Sequence, residues 1–357
     1  MCYICQRVFL GINGEGLILS KIQTAISIYE KDGLLSLVKT TSRYVITTSR
    51  FIPTSICVII GPIFVINLVA SRVSVLVIKE KYGRLGNRIW QFAHVIAFCI
   101  ENGFSVSNPS FAEYSKYFKL TSRDLLCRYP ARKTLLHSDL LREALYSGLP
   151  ALFRVCQKFK VASEIALKDE EEQRFDLENP KNLVQFDRRK CVFLRGWLFE
   201  APNLLRKHRS AILRFFEPLD KYHDNIEKKV AEARRNTDLL IGVHIRRGDY
   251  RTIFNGPFYY EIEDYRKFMK ETAQLFPGKR VGFLIVSDER LQTDDWEGFS
   301  YVLANGHMIE DLYSLAKCDL IIGPPSTFAN WASFYGNVPS VSIRDKSYTF
   351  SLDKFGV

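Results

Sequence analysis

The sequence lacks a disulfide framework. Its eight cysteines, Cys2, Cys5, Cys57, Cys99, Cys127, Cys156, Cys191 and Cys318, are scattered rather than spaced as pairs, which favours a reducing compartment. Cys2 and Cys5 form a lone C-x-x-C with no second pair at zinc spacing, so a zinc ribbon is excluded. There is no arginine-rich tail and no zinc-finger spacing, so nothing beyond net charge points to nucleic acid. Internal repeats and low-complexity tracts are absent, which removes solenoids and disordered arrays. A cleavable signal peptide is not expected, because the long apolar run begins some fifty residues into the chain.

What is present is ordinary globular material with a basic excess. Of 357 residues, 47% are hydrophobic, 25% charged and 13% aromatic, with a formal net charge of +11. This is enough to bury a substantial core, and the length favours two domains. The charge suits a phosphorylated ligand or an anionic lipid surface, or is simply a solvated basic face.

Residues 52–70, IPTSICVIIGPIFVINLVA, carry no charge and match the length needed to cross a bilayer. Gly61-Pro62 divides the run, and Pro62 removes a helical hydrogen bond there. Lys39, Arg43 and Arg50 precede it and Arg72, Lys79 and Lys81 follow, so charge gives no orientation. A kinked single span is expected, with a re-entrant hairpin turning at Gly61-Pro62 as the alternative. Residues 22–45 read as a basic amphipathic segment suited to an anionic membrane surface or to packing on the enzyme. The expected division is a basic amphipathic segment (1–50), a hydrophobic membrane segment (51–71), and two α/β domains (72–236 and 237–357).

Beyond the apolar run, β-rich and helical patterns alternate. Strands are expected at 73–78, 191–199, 239–245, 281–286, 320–322 and 338–343. Helices are expected at 88–102, 204–216, 224–235, 260–273 and 309–316, with a last one opening near Ser326. Such alternation argues for parallel sheets in an α/β protein. The region from about 108 to 190 reads as polar and irregular with several short helical patterns, without a motif.

Three segments carry chemistry. Gly83-Arg84-Leu85-Gly86-Asn87 places a glycine turn between a strand and a helix start, where backbone N–H groups attract anions; it is neither G-x-G-x-x-G nor a P-loop. In His244-Ile245-Arg246-Arg247-Gly248-Asp249-Tyr250, strand alternation puts His244 and Arg246 on one face at a strand's C-terminal end. Ligands of open α/β sheets bind there, and an arginine can clamp a diphosphate bidentately. The structural alternative is an arginine pair bound to Asp249. Pro324-Pro325-Ser326-Thr327-Phe328 ends another strand and starts a helix, with Ser326 or Thr327 as its N-cap.

Together with LRGWLFE (194–200), FLIVSDE (283–289) and DLYSLAKCDLIIGPPSTFANWASFYG (311–336), these segments occur in an order that resembles glycosyltransferase family 11, the α-1,2-fucosyltransferases of the GDP-fucose superfamily. The resemblance runs from about residue 73 to the C-terminus. It implies a GT-B-like fold of two Rossmann-type domains facing a cleft, with GDP-fucose bound mainly by the C-terminal one. It implies that Arg246 holds the donor β-phosphate, with His244 and Arg247 beside it. Asp311 would recognise guanine, accepting from N1–H and the exocyclic amine. Ser326, Thr327 and Phe328 would form a phosphate-binding helix start, Gly86 and Asn87 would approach the pyrophosphate and sugar, and Asp288 would lie near the nucleotide.

The sequence departs from the family at Arg88, where glutamine is usual, at Asn330-Trp331, where two tryptophans are usual, and at Trp197-Leu198-Phe199. These positions are expected to line the acceptor side. The implied reaction is an inverting fucosyl transfer from GDP-fucose to a glycan hydroxyl, C2 of a galactoside, on a membrane-lipid-associated enzyme. No Asp-x-Asp stands beside the arginine motif, so no metal or other cofactor is expected, Arg246 and helix N–H groups supplying the charge. Asp249, His244 and Glu261 are the candidate general bases. The catalytic part is expected to be cytoplasmic, or in the Golgi lumen of a eukaryotic source. The competing readings are a transferase using another GDP-linked sugar and a non-catalytic membrane protein binding glycan or nucleotide.

Overall fold

The computed structural model describes residues 75–135, 137–158, 160–167, 174–252 and 256–355. The amphipathic segment and the apolar run expected within 1–71 lie outside them. Among the described residues, no helix is long and apolar enough to cross a membrane.

The chain forms two compact units. The first holds the described residues up to Lys81 together with Phe92–Lys116 and Leu120–Arg209. The second holds Tyr82–Gln91, Tyr117–Lys119 and Ser210–Val357. The division therefore falls near residue 210 rather than 236, and two short segments expected in the N-terminal domain belong to the second unit. Packing is the reason. Trp90 meets Trp331 edge-on at 6.4 Å, Phe118 meets Phe216 at 5.7 Å, and Lys119 N donates to Glu217 O at 2.9 Å.

In the first unit, strands β1 (Val75–Ile78), β2 (Ser105–Ser107), β3 (Arg128–Tyr129), β4 (Ala162–Ala166) and β6 (Cys191–Arg195) form one sheet in the order β3-β2-β1-β6-β4. All its pairings are parallel except that of the edge strand β3. Strands β5 (Phe175–Asp176) and β7 (Phe199–Glu200) form a separate pair. Central β1, VLVI, is buried along its whole length, as expected of a parallel strand covered on both faces. Helix α1 (Leu85–Asn102), whose residues up to Gln91 belong to the second unit, begins within the glycine turn, three residues before the expected start. Helix α2 (Asp139–Lys158) runs through Gly148 and Pro150, within the stretch that the sequence reads as irregular.

The second unit is a parallel sheet of β8 (Leu239–Ile245), β9 (Val281–Ser287), β10 (Tyr301–Leu303), β11 (Leu320–Gly323) and β12 (Ser340–Ser342) in the order β10-β9-β8-β11-β12. Its helices are α3 (His223–Ala233), α4 (Ile262–Gln274), α5 (Met308–Leu315) and α6 (Thr327–Gly336). All seven residues of β8 are buried, and alternation divides them between two layers. Ile241, Val243 and Ile245 share a core with Tyr265, Phe268 and Met269 of α4. On the other face, a Cβ on Gly242 would lie 2.7 Å from Leu315, and His244 stacks on Phe328 at 5.4 Å.

The α4 layer rests on aromatic anchors, and Phe268 is fully buried among Tyr260, Tyr265 and Phe350. Phe268→Ala removes a buried ring from a packed site and should lower unfolding free energy by about 3–5 kcal/mol. Urea denaturation checks this, and a loss below about 1 kcal/mol would mean that the layer is not close-packed.

Candidate functional site

The strand order of the second unit reverses between β8 and β11, so their C-terminal ends flank a topological switch point, where open α/β sheets bind ligands. His244 lies at the end of β8, Arg246 follows it, and Ser326 lies just beyond β11. The strands come so close that a Cβ on Gly323 would lie 2.5 Å from His244 O, so a side chain there has no room.

Arg246 is held by three contacts. Its Nε and Nη2 donate to Asp249 Oδ1 and Oδ2 at 2.9 and 2.8 Å, and its guanidinium lies 4.4 Å from the centre of the Tyr250 ring. Its backbone N–H donates to Tyr265 Oη at 3.3 Å. Tyr250 Oη donates in turn to Pro325 O, which ties the arginine loop to the loop before α6. Arg84, from the glycine turn, pairs with Asp249 at 3.4 Å and Asp288 at 3.6 Å. Asp288 Oδ1 accepts from the backbone N–H of Arg247 at 3.0 Å and of Gly248 at 3.3 Å. Arg247 points to other partners, Tyr259 Oη and Glu261 at 2.9 Å each and Glu289 at 3.3 Å.

Two helix N-termini meet beside this cluster. Ser326 is the N-cap of α6, its Oγ accepting from Phe328 N at 3.2 Å; Thr327 is already helical. Thr327 Oγ1 donates to Asn87 Oδ1 at 2.5 Å. A Cβ on Gly86 would lie 2.7 Å from Phe328 N and 2.8 Å from Thr327 Oγ1, so only glycine lets the first turn of α1 reach the first turn of α6. Gly83 has φ of +57°, and Arg88 closes the turn by donating Nε and Nη2 to Gly83 O at 3.2 and 3.1 Å. Arg88, expected on the acceptor side, is thus a buried brace of the turn. The groups gathered here are guanidinium and main-chain N–H, a donor set matched to an anion.

Asp311 lies away from the arginines, in the first turn of α5, and is 6% exposed. Its Oδ1 accepts no hydrogen bond from any described residue, although Lys229 Nζ stands 3.5 Å away. Burial pushes its pKa up to about 6, against the lowering influence of Lys229. A buried carboxylate oxygen with capacity to spare fits a ligand carrying N–H donors.

The three candidate bases differ in kind. His244 is buried, and burial reinforced by Arg246 pulls its pKa down to about 4, so the ring is neutral at pH 7. Its Nδ1 has no hydrogen-bond partner among the described residues. The bidentate bond from Arg246 holds the Asp249 carboxyl below the usual range, which makes it a weak proton acceptor. Glu261 is the N-cap of α4 and pairs with Arg247. Trp331, expected on the acceptor side, is fully buried against Trp90, Phe216 and Phe334 and is core.

Sequence reasoning passed over Arg84, Lys229, Tyr250 and Glu310 as working residues. Arg84 and Tyr250 stand inside the quoted motifs, and their signal was position alone. Lys229 lies in an unremarkable helical charge pattern.

Residues 157–354, more than half of the chain, match the model of glycosyl transferase family 11. Comparison with curated proteins finds no match. Among solved structures, a point mutant of Arabidopsis thaliana FUT1 in complex with GDP aligns with a TM-score of 0.50 at 12% identity, covering 92% of this chain and 79% of that one. The fucosyltransferase NodZ from Bradyrhizobium aligns with a TM-score of 0.49 at 14% identity, covering 79% of this chain and 96% of that one. At such identity the likeness to FUT1 is one of fold. With the family match over the arginine motif, Asp311 and the α6 start, the chain belongs to glycosyl transferase family 11, a family of fucosyltransferases.

Proposed function

We propose that this chain transfers fucose from GDP-fucose to a glycan hydroxyl, C2 of a galactoside, by inversion and without a metal ion. The observation that carries the reading is the convergence of the α1 and α6 N-termini at Gly86, beside Arg246. Their N–H groups, with Arg246 and Arg84, form a diphosphate cradle, and Asp311 accepts from guanine N1–H and the exocyclic amine. Arg247 and Asp288 shape the loop beneath the phosphates through the contacts already described.

In the transfer, the bond between the fucose anomeric carbon and the β-phosphate oxygen breaks, and its electron pair stays on that oxygen. The acceptor oxygen bonds the anomeric carbon from the opposite face and gives its proton to a base. Negative charge develops on the leaving diphosphate, where fixed donors act most strongly. Asp249 is then the residue that aims Arg246, and the diphosphate competes with it for the guanidinium. Asp249, His244 and Glu261 remain the candidate bases: His244 is neutral at pH 7, but burial and Arg246 oppose its charged form, as Arg246 opposes protonation of Asp249. The uncharged run at 52–70 supports membrane attachment, with the catalytic part cytoplasmic, or in the Golgi lumen of a eukaryotic source.

GDP should protect the protein against thermal unfolding while UDP and CMP do not; equal protection by UDP removes the guanine assignment. Turnover should persist in EDTA, and loss of turnover that Mn²⁺ or Mg²⁺ restores overturns the metal-free reading. Arg246→Lys replaces a planar fork by a point charge, and kcat should fall on the order of 10²-fold. A near-normal rate would make Arg246 structural.

The pH dependence follows from Asp311. Only its charged form accepts both guanine N–H groups, so affinity for GDP-fucose should be constant above about pH 7. It should weaken as pH falls through about 6, approaching tenfold per unit. His244, held near 4, does not titrate in this window. The diphosphate diester does not titrate there either, so calorimetry between pH 5 and 8, repeated in a His307→Asn background, reads Asp311. An unchanged affinity at pH 5 contradicts its role.

A further inference from the structure

Lys229 projects from α3 between two carboxylates of α5. Its Nζ donates to Glu310 Oε2 at 3.0 Å and stands 3.5 Å from Asp311 Oδ1. Glu310 is itself fixed from two other sides, because Asn225 Nδ2 donates to its Oε1 at 2.7 Å and His307 N donates to its Oε2 at 3.4 Å. The turn before α5 closes over the ammonium group so tightly that a Cβ on Gly306 would lie 1.9 Å from Lys229 Nζ. The lysine is therefore clamped from Glu310 and from the turn, with its remaining reach toward Asp311.

The arrangement is unequal in a telling way. Glu310 accepts three hydrogen bonds, from Asn225, Lys229 and the His307 N–H, whereas Asp311 Oδ1 accepts none from the described residues and has Lys229 only at ion-pair distance. A lysine serving only to join α3 to α5 needs Glu310 alone. Its approach to a second, buried carboxylate that keeps an open oxygen makes sense where that oxygen must stay anionic and keep its aim.

We propose that Lys229 is a positioning residue for the nucleotide base, keeping the Asp311 carboxylate charged and directed so that it accepts both guanine N–H groups, and so setting the lowest pH at which the donor binds. This rests on the reading of Asp311 as the guanine acceptor. The groups that face Asp311 are Lys229 of α3, Glu310 and His307 at the start of α5, and the backbone of the turn at Gly306. Glu310 opposes the charged state and Lys229 favours it, so loss of the lysine leaves burial and the neighbouring carboxylate unopposed. His307 Nδ1 accepts from Ile309 N and its ring stacks on Tyr222 at 5.0 Å. An asparagine there keeps a cap while removing its titration.

The test is calorimetric titration of the full chain with GDP-fucose from pH 5.5 to 8.5, for the wild type, Lys229→Met, Lys229→Gln and Lys229→Arg. In Lys229→Met the midpoint of the pH profile should move up by at least about one unit, a loss of about twofold at pH 7 that grows to nearly tenfold at pH 5.5. Affinity should recover to within about threefold of wild type at pH 8.5. Lys229→Gln should shift in the same direction if the methionine variant fails to fold, and Lys229→Arg should keep the wild-type profile. The shift should persist in a His307→Asn background. Loss of affinity by one factor at every pH, or a profile identical to wild type, overturns the proposal. If wild-type protein binds GDP-fucose and a UDP-sugar equally, the guanine reading itself has failed. If that discrimination stands while the Lys229 variants keep the wild-type profile, only the role of Lys229 has failed.

Discussion

Positive ends concentrated in one place require compensation, and that constraint organises the second unit. The N-termini of α1 and α6 carry partial positive charge from their first-turn N–H groups, and Arg84 and Arg246 add two full charges nearby. Asp249 and Asp288 supply the counter-charge. Asp249 grips Arg246 on both nitrogens, and Arg84 bridges the two acids. Asp288 also fixes the loop through the N–H groups of Arg247 and Gly248. The arginine motif is in this sense neutralised from within: the acids that hold its loop are those that a diphosphate would have to outcompete in the proposed donor complex.

The same logic separates the two halves of the proposed donor site. Around the phosphates, recognition is delocalised over main-chain N–H groups and guanidinium forks, none of which titrates near neutrality. At the base, recognition falls on one buried carboxylate whose charge burial opposes, so that its neighbours matter. Electrostatic strength therefore resides at one end of the site and pH sensitivity at the other.

The sequence was most readable where apolar runs are short and bounded. Strand β8 was expected at 239–245 and occupies Leu239–Ile245, because seven buried residues ending in a charged motif leave little freedom. The cap at Ser326 was also legible, since Pro324-Pro325 forces a break and a hydroxyl follows. Helix α2 was not, because Gly148 and Pro150 look like breakers and exposed Leu140 blurs the apolar face. Strand β4, ASEIA, has no apolar run to announce it. The roles of Arg88, Trp331 and Lys229 were hidden for a different reason. Each depends on a partner whose proximity is a property of the packed chain, Gly83 O for the first, the Trp90 and Phe216 rings for the second, and Asp311 for the third.

Glycines 86 and 323 bear on how such a site can change over time. At both, a single added carbon would strike another element's backbone, so neither position can drift without moving a whole helix or strand. The main-chain part of the proposed phosphate site that they bring together keeps its donors under any side-chain change short of proline, whereas Arg84 and Arg246 remain open to substitution. Variation is left to side chains around it. A lineage built on this scaffold can thus vary the side chains around the two glycines while the close approach of α1 to α6, and of β8 to β11, is inherited.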